Sequence, residues 1–292
     1  MPSVITLSNE VQLRSPLIMI GAHRSGTTWL GEALSKAADI AYWPEPNHVW
    51  TWGNWSLPDD VLGPEHATPR VKAHLHRVFH RYTRRVSSEK FCEKTPSNCL
   101  RVPFIREVFP DAKYIFLVRD GRSIFRSTRQ VLDEGVAWIK FVNRFRRMSP
   151  GDLPYMVSRL PRVLGKLTGQ TPKYWGPRPE GWQTWLENDS TNVMLAKQWA
   201  CTIAKAAADF EQMDPAQYVT LRYEDMLASP REAMTQVLEF LEVRDVQPVF
   251  DYVETSVDRS RLQPWRETLD PELLDEVRPH MEATLARMGY SW

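Results

Sequence analysis

Leu17-Ile-Met-Ile20, followed at once by Gly21-Ala-His-Arg-Ser-Gly-Thr-Thr28, is the stretch that decides the architecture. Four apolar residues ending at a glycine read as a short buried strand. Beyond the loop, Trp29, Leu30, Ala33, Leu34 and Ala37 fall at helical spacing. The unit is therefore strand, glycine-containing loop, helix. Working outward, Lys113–Val118 (KYIFLV) is β-branched and aromatic, the clearest strand in the chain, with a helix predicted after it from about Arg122 to Leu132. Tyr218–Arg222 reads as a third strand. Helices are predicted over residues 70–85, Pro103–Val108, 192–210, from Pro230 (capped by Ser229) to about Leu241, and Pro271–Met288. Strands alternating with helices imply an α/β fold with an open parallel sheet covered on both faces.

Bulk composition narrows the class. The 292 residues hold 37 Lys+Arg against 36 Asp+Glu, a net charge of +1, so no global excess points to nucleic acid. The longest apolar runs are far too short to span a bilayer. Glu10 and Arg14 interrupt the N-terminus, which lacks a basic-then-apolar leader pattern. Three cysteines are too few for a disulfide framework, and a cytoplasmic location is expected. Residues 1–292 are expected to form a single domain, with 133–190 as a helical or loop insertion, a substrate-side wall or lid. Within it, residues 139–179 carry nine Lys/Arg and one acid, Asp152. Residues 42–55 place Tyr42, Trp43, Trp50, Trp52 and Trp55 among Pro, Asn and Gly, and read as a loop with aromatic walls.

Gly21–Thr28 has the spacing of a P-loop, except that Thr27 stands where the lysine belongs. Such a loop aims backbone N–H groups and a helix N-terminus at an anion. Without the lysine, and with Arg24 as the obvious cation, it suits a less charged group than the end of a nucleoside triphosphate. A P-loop kinase or NTPase is disfavoured on that ground, Asp120 being the only tempting Mg²⁺ carboxylate. A non-catalytic nucleotide-binding scaffold is the remaining alternative.

Arg24-Ser-Gly-Thr-Thr-Trp-Leu30 resembles the 5′-phosphosulfate loop of the sulfotransferase superfamily, which uses 3′-phosphoadenosine 5′-phosphosulfate (PAPS) and releases PAP. The resemblance runs from about Pro16 to Tyr290 and is weakest over 133–190. It implies donor contacts from Arg24, Ser25, Gly26, Thr27, Thr28 and Trp29. Arg119 ends the KYIFLV strand, and Ser127 lies eight residues on. Their types and spacing resemble the family's 3′-phosphate motif, where a guanidinium grips phosphate in a fork and a hydroxyl completes the shell. Tyr223, in Arg222-Tyr-Glu-Asp225, resembles the family's Tyr-Glu segment near the adenine, and Arg261 belongs to a looser match with a late basic-tryptophan segment.

Transfer to a hydroxyl needs a base for the acceptor and cations for the leaving phosphate. Glu45, in Tyr42-Trp-Pro-Glu-Pro-Asn-His48, is placed like the glutamate base of the carbohydrate and tyrosylprotein branches. Glu93-Lys-Thr-Pro-Ser-Asn98 resembles a Glu-Lys-Thr-Pro segment whose lysine steadies the leaving group, so Lys94 joins Arg24 as a catalytic cation. His48 and His23 are the alternative bases, and Lys94 paired with Glu93 is the bland reading. Arg122 and Arg126 read as surface charges, and His74, His76 and His80 as a solvated face rather than a metal site. No metal is expected. The acceptor is a hydroxyl compound, small molecule, sugar or glycoconjugate. Its identity and the oligomeric state are not legible.

Overall fold

The computed structural model describes residues 12–133, 174–262 and 265–292. Five strands form one sheet: β1 (Leu17–Ile20), β2 (Ile40–Pro44), β3 (Lys90–Lys94), β4 (Lys113–Val118) and β5 (Tyr218–Arg222). Their order is β2-β3-β1-β4-β5, and every pair is parallel. Leu17 sits between Cys92 and Lys113, which fixes β1 at the centre.

Alternation along the strands builds two cores. Ile18, Ile20, Tyr114, Phe116 and Val118 point to one face, and Leu17, Met19, Ile115 and Leu117 to the other. The first face is covered by α3 (Pro69–Arg85), α4 (Val102–Val108), α5 (Gly121–Asp133), α7 (Thr191–Phe210) and α12 (Pro271–Arg287). The second is covered by α1 (Thr27–Leu34), α8 (Tyr223–Ala228), α9 (Pro230–Phe240) and α10 (Gln247–Ser256). Among the described residues there are three further short helices, α2 (Asn47–Trp50), α6 (Trp182–Asn188) and α11 (Trp265–Thr268). Among the described residues no helix is long and apolar enough to cross a membrane.

The expected α/β sheet with helices on both faces is present, with corrections. Residues 42–55 are not all loop: Tyr42–Pro44 finish β2, and Asn47–Trp50 form α2. Strand β2 (IAYWP) has only two buried residues, and two of the four buried in β3 (KFCEK) are the charged Glu93 and Lys94, so pattern alone did not expose them. Tyr223 opens α8 directly after β5, and Ser229, expected to cap, precedes α9 without a side-chain cap bond. The basic 139–179 stretch lies outside the described residues up to 173.

Candidate active site

All five strands end on the same edge of the sheet, the edge where open α/β folds bind ligands. The next residues in the chain are Gly21, Glu45, Thr95, Arg119 and Tyr223, with Lys94 the last residue of β3. Parallel pairing thus gathers candidates from positions 21 to 223 into one cleft.

The loop after β1 turns on Ser25, whose backbone N and Oγ both donate to the Ala22 carbonyl, at 3.2 and 2.6 Å. Gly26 caps α1 at φ +96°, and no side chain caps that helix start. Its first amides are left facing the cleft mouth. A Cβ on Gly26 would sit 2.4 Å from the Tyr223 ring, so only glycine permits this approach. Thr27 is buried and Thr28 exposed. Trp29 turns aside, its indole N–H donating to Ser256 Oγ on α10 at 2.8 Å.

Arg24 has φ +66° and Glu45 φ +53°, two of five non-glycine residues with positive φ among those described. Backbone strain of this kind costs about 1–3 kcal/mol per residue and gathers at working sites. Arg24 Nε donates to Ser127 Oγ at 2.8 Å, so the loop cation reaches the hydroxyl assigned to the second anion site. Arg119, 9% exposed, donates to the Arg24 carbonyl at 2.7 Å and stacks over Tyr223 at 4.1 Å. It also reaches the Arg261 carbonyl at 3.5 Å. Burial, then the neighbouring Arg24 and Arg261 charges, push the Arg119 guanidinium below its ordinary pKa, against the pull of Tyr223 and Glu224. Its Nε is buried without a hydrogen-bond partner. Crowded cations and an orphaned donor are what a polyanion would satisfy, so these residues fit a bound nucleotide phosphate.

Across the cleft, Lys94 Nζ donates to Glu45 Oε1 at 2.8 Å, and Glu45 N donates to the Lys94 carbonyl at 2.7 Å. Lys94 is nearly buried and Glu45 about one-third exposed. The lysine therefore pairs with Glu45, not Glu93. Glu93 is fully buried and accepts from Thr95 Oγ1 and Asn98 Nδ2; burial raises its carboxyl to about 7 despite those bonds.

His23 lies beneath this pair. Thr128 donates its hydroxyl proton to the Ile124 carbonyl at 2.8 Å, so His23 Nε2–H donates to Thr128 Oγ1 at 3.0 Å. Nδ1 is then a bare lone pair, buried without a partner beside Gly176. Burial, with Arg24 next and Lys94 adding, lowers the imidazole to about 3 against the opposing effect of Glu45. It is held neutral and enclosed. His48 is buried in α2, edge-on to Trp43 at 6.1 Å.

Several readings of polar residues change. Arg122 is not a surface charge: it is buried, paired with Asp120 at 2.8 Å and stacked over Trp265 at 4.0 Å. Asp120 also accepts from the Trp265 indole, so the tempting Mg²⁺ ligand is committed to structure. Of the histidines expected on a solvated face, His76 bridges Leu13 N and the Val108 carbonyl, and His74 stacks on Trp52 at 4.0 Å. Trp50 is fully buried against Phe79, whereas Trp43 stacks on Tyr82 at 4.4 Å.

Sequence reading missed one polar node altogether. Arg101, fully buried, donates to Asn47 Oδ1, Asn98 Oδ1 and the Asp60 carbonyl, and pairs with the Asp60 carboxylate. Asp60 also accepts from Ser97 and Arg178. The node ties the segment just past Glu45 to β3's exit and to residues 174–182, where Trp175 meets His23 edge-on at 5.1 Å. Its members are 37 or more residues apart across most of these bonds, so no local pattern announces it.

A family profile described as the sulfotransferase family matches residues 16–157 and 169–248. No curated protein matches the chain in sequence. Among solved structures, the sulfotransferase domain from the curacin biosynthetic pathway is similar over 96% of this chain and 99% of its own, at TM-score 0.60 and 14% identity. The sulfotransferase domain of the Synechococcus PCC 7002 olefin synthase covers 97% and 98%, at TM-score 0.57 and 14% identity. Mouse sulfotransferase SULT7A1, solved in complex with PAP, covers 94% of this chain and 85% of its own, at TM-score 0.50 and 12% identity.

Proposed function

The chain belongs to the sulfotransferase family, and from that premise we propose that it moves a sulfuryl group from PAPS to a hydroxyl acceptor, with Glu45 as base. The observation that carries the donor assignment is the crowding of Arg24 and Arg261 around buried Arg119, whose Nε has no partner. PAPS would supply an activated sulfuryl group on its 5′-phosphate and a 3′-phosphate to fill that cluster.

Arg119, Ser127 and Arg261 hold the 3′-phosphate, and Tyr223 braces the nucleoside side through its contact with Gly26. The loop from Arg24 to Thr28, with the uncapped start of α1, holds the 5′ end. Trp29 supports the loop from behind by its bond to Ser256. Glu45 accepts the acceptor's proton, and its existing bond to Lys94 orients it. Lys94 and Arg24 then neutralise charge developing on the leaving phosphate. Residues 133–190 serve as the acceptor-side insertion, with Trp175 and the Asp60–Arg178 contact on its described end.

The test is transfer of labelled sulfate from PAPS to a panel of sugar, phenol and alkyl hydroxyl acceptors, beside thermal-shift titrations with PAP and with ATP·Mg²⁺. Product formation with stabilisation by PAP supports the assignment. Stabilisation by ATP·Mg²⁺ alone, or PAP binding without transfer to any acceptor, would displace it in favour of a kinase or a scaffold respectively.

A further inference from the structure

Helix α3 carries Arg70, Lys72, Arg77, Arg81, Arg84 and Arg85 and not one Asp or Glu. Its inward face is settled: Val71, Leu75, Phe79 and Thr83 are buried. Arg70, Arg77, Arg81 and Arg84 recur at intervals of seven, four and three, which aligns them along the opposite face, with Arg85 beside the row. All five are exposed, and the row runs for about 20 Å. Lys72 is set apart by its pair with Glu107, and Arg70 lies over the Trp52 ring at 5.3 Å. Arg77, Arg81, Arg84 and Arg85 have no acidic partner among the described residues.

Like charges at i+3 and i+4 repel along a helix, so this row weakens its own element. The chain as a whole carries only +1, so the basic face is segregated rather than general. Its position is also informative. From the same helix, Tyr82 donates to the Tyr42 carbonyl at 2.8 Å and stacks on Trp43, two residues before Glu45. Tyr82 lies on the buried side of the helix, so the arginine row looks away from this contact and into solvent.

We propose that α3 is the docking face for an acidic protein surface, such as a carboxylate-bearing helix. Arginine forks pair with carboxylates in two-point geometry, and a row of them suits a row of Glu or Asp. A membrane-surface helix would need its apolar face free for lipid. Here that face is in the core, and the exposed large hydrophobics among the described residues are Trp55, Val86 and Leu262. A nucleic-acid partner calls for a basic excess that the chain does not have.

The test uses the full chain and a fluorescein-labelled helical Glu/Ala peptide, read by anisotropy at about 50 and 200 mM salt. The double variant Arg77→Glu/Arg81→Glu is expected to weaken peptide binding about tenfold or more at the lower salt. Arg231→Glu, on α9 across the sheet, is the control, with an expected loss under about twofold. PAP affinity is expected to be unchanged in both, which separates this contact from the donor site. Equal losses in the two variants would overturn the proposal. So would tighter binding of the unmodified chain to phosphatidylglycerol vesicles or duplex DNA than to the peptide.

Discussion

On the donor side of the cleft, Arg24 and Arg261 crowd a buried Arg119 and leave its Nε unpartnered; on the acceptor side, Glu45 and Lys94 already neutralise each other among aromatic rings. In the first half Arg261 is paired with Asp258, while the Arg119 Nε is left for the anion that the proposed function places there. The second is complete and shaped. Donor affinity should therefore depend on charge, whereas acceptor choice and turnover should depend on geometry around one ion pair. Each half also holds one residue in a left-handed backbone conformation, Arg24 and Glu45, so both are preset by the fold.

The sharpest way to break this comparison is Glu45→Gln. Turnover should fall by about 10²–10⁴ while PAP affinity stays within about twofold, as expected for a base that does not touch the donor. If steady-state assays instead show unimpaired turnover, Glu45 is not the base. The converse perturbation is Gly26→Ala, which drives a methyl into the Tyr223 ring at φ +96°. PAP binding should weaken about tenfold, with a stability loss of about 1–3 kcal/mol in denaturant melts. Unchanged PAP binding would detach Tyr223 from the donor half.

A smaller effect separates the two halves by pH. His23 is held neutral, its pKa lowered from 6.5 to about 3, so the unfolded chain binds its proton first. Its contribution to stability is present above 6.5 and is lost as pH falls towards 3, at about 1.4 kcal/mol per pH unit. Glu93 has the opposite sign. With its pKa raised from 4.5 to about 7, its contribution is full below 4.5 and is lost as pH rises to 7. The two slopes offset each other between 4.5 and 6.5. Glu93→Gln should therefore expose acid destabilisation beginning near 6.5, and His23→Asn should expose alkaline destabilisation up to 7. Parallel pH–stability curves for both variants and the parent chain would contradict these environments.

The comparison also explains what the sequence made legible. The donor half follows from local rules. Residues 17–30 contain strand, loop and helix in order, and Arg119 with Ser127 lies on one strand–helix junction, where resemblance to a family motif singled them out. Strands β1, β4 and β5 were readable because their residues are apolar, β-branched or aromatic. Strands β2 and β3 were not, because Tyr42 and Trp43 pack at the margins of the two opposite cores and the charged Glu93 and Lys94 are buried. The acceptor half is made by tertiary contact. Lys94 meets Glu45 across 49 positions, and Asp60 joins Arg178 across 118. Arg122 looked like surface because its partner, Trp265, lies 143 residues away. Such pairings depend on the sheet order β2-β3-β1-β4-β5, which no window of sequence contains.

Calorimetric titration of PAP into the parent chain and into Arg119→Met, without added metal, tests the central claim most directly. One PAP should bind per chain, and the variant should lose about 10- to 100-fold in affinity, the worth of a hydrogen bond to a charged group, with its melting transition still cooperative. A parent chain that does not bind PAP, or a folded Arg119→Met that binds it equally well, would contradict a donor site built on the ends of these strands.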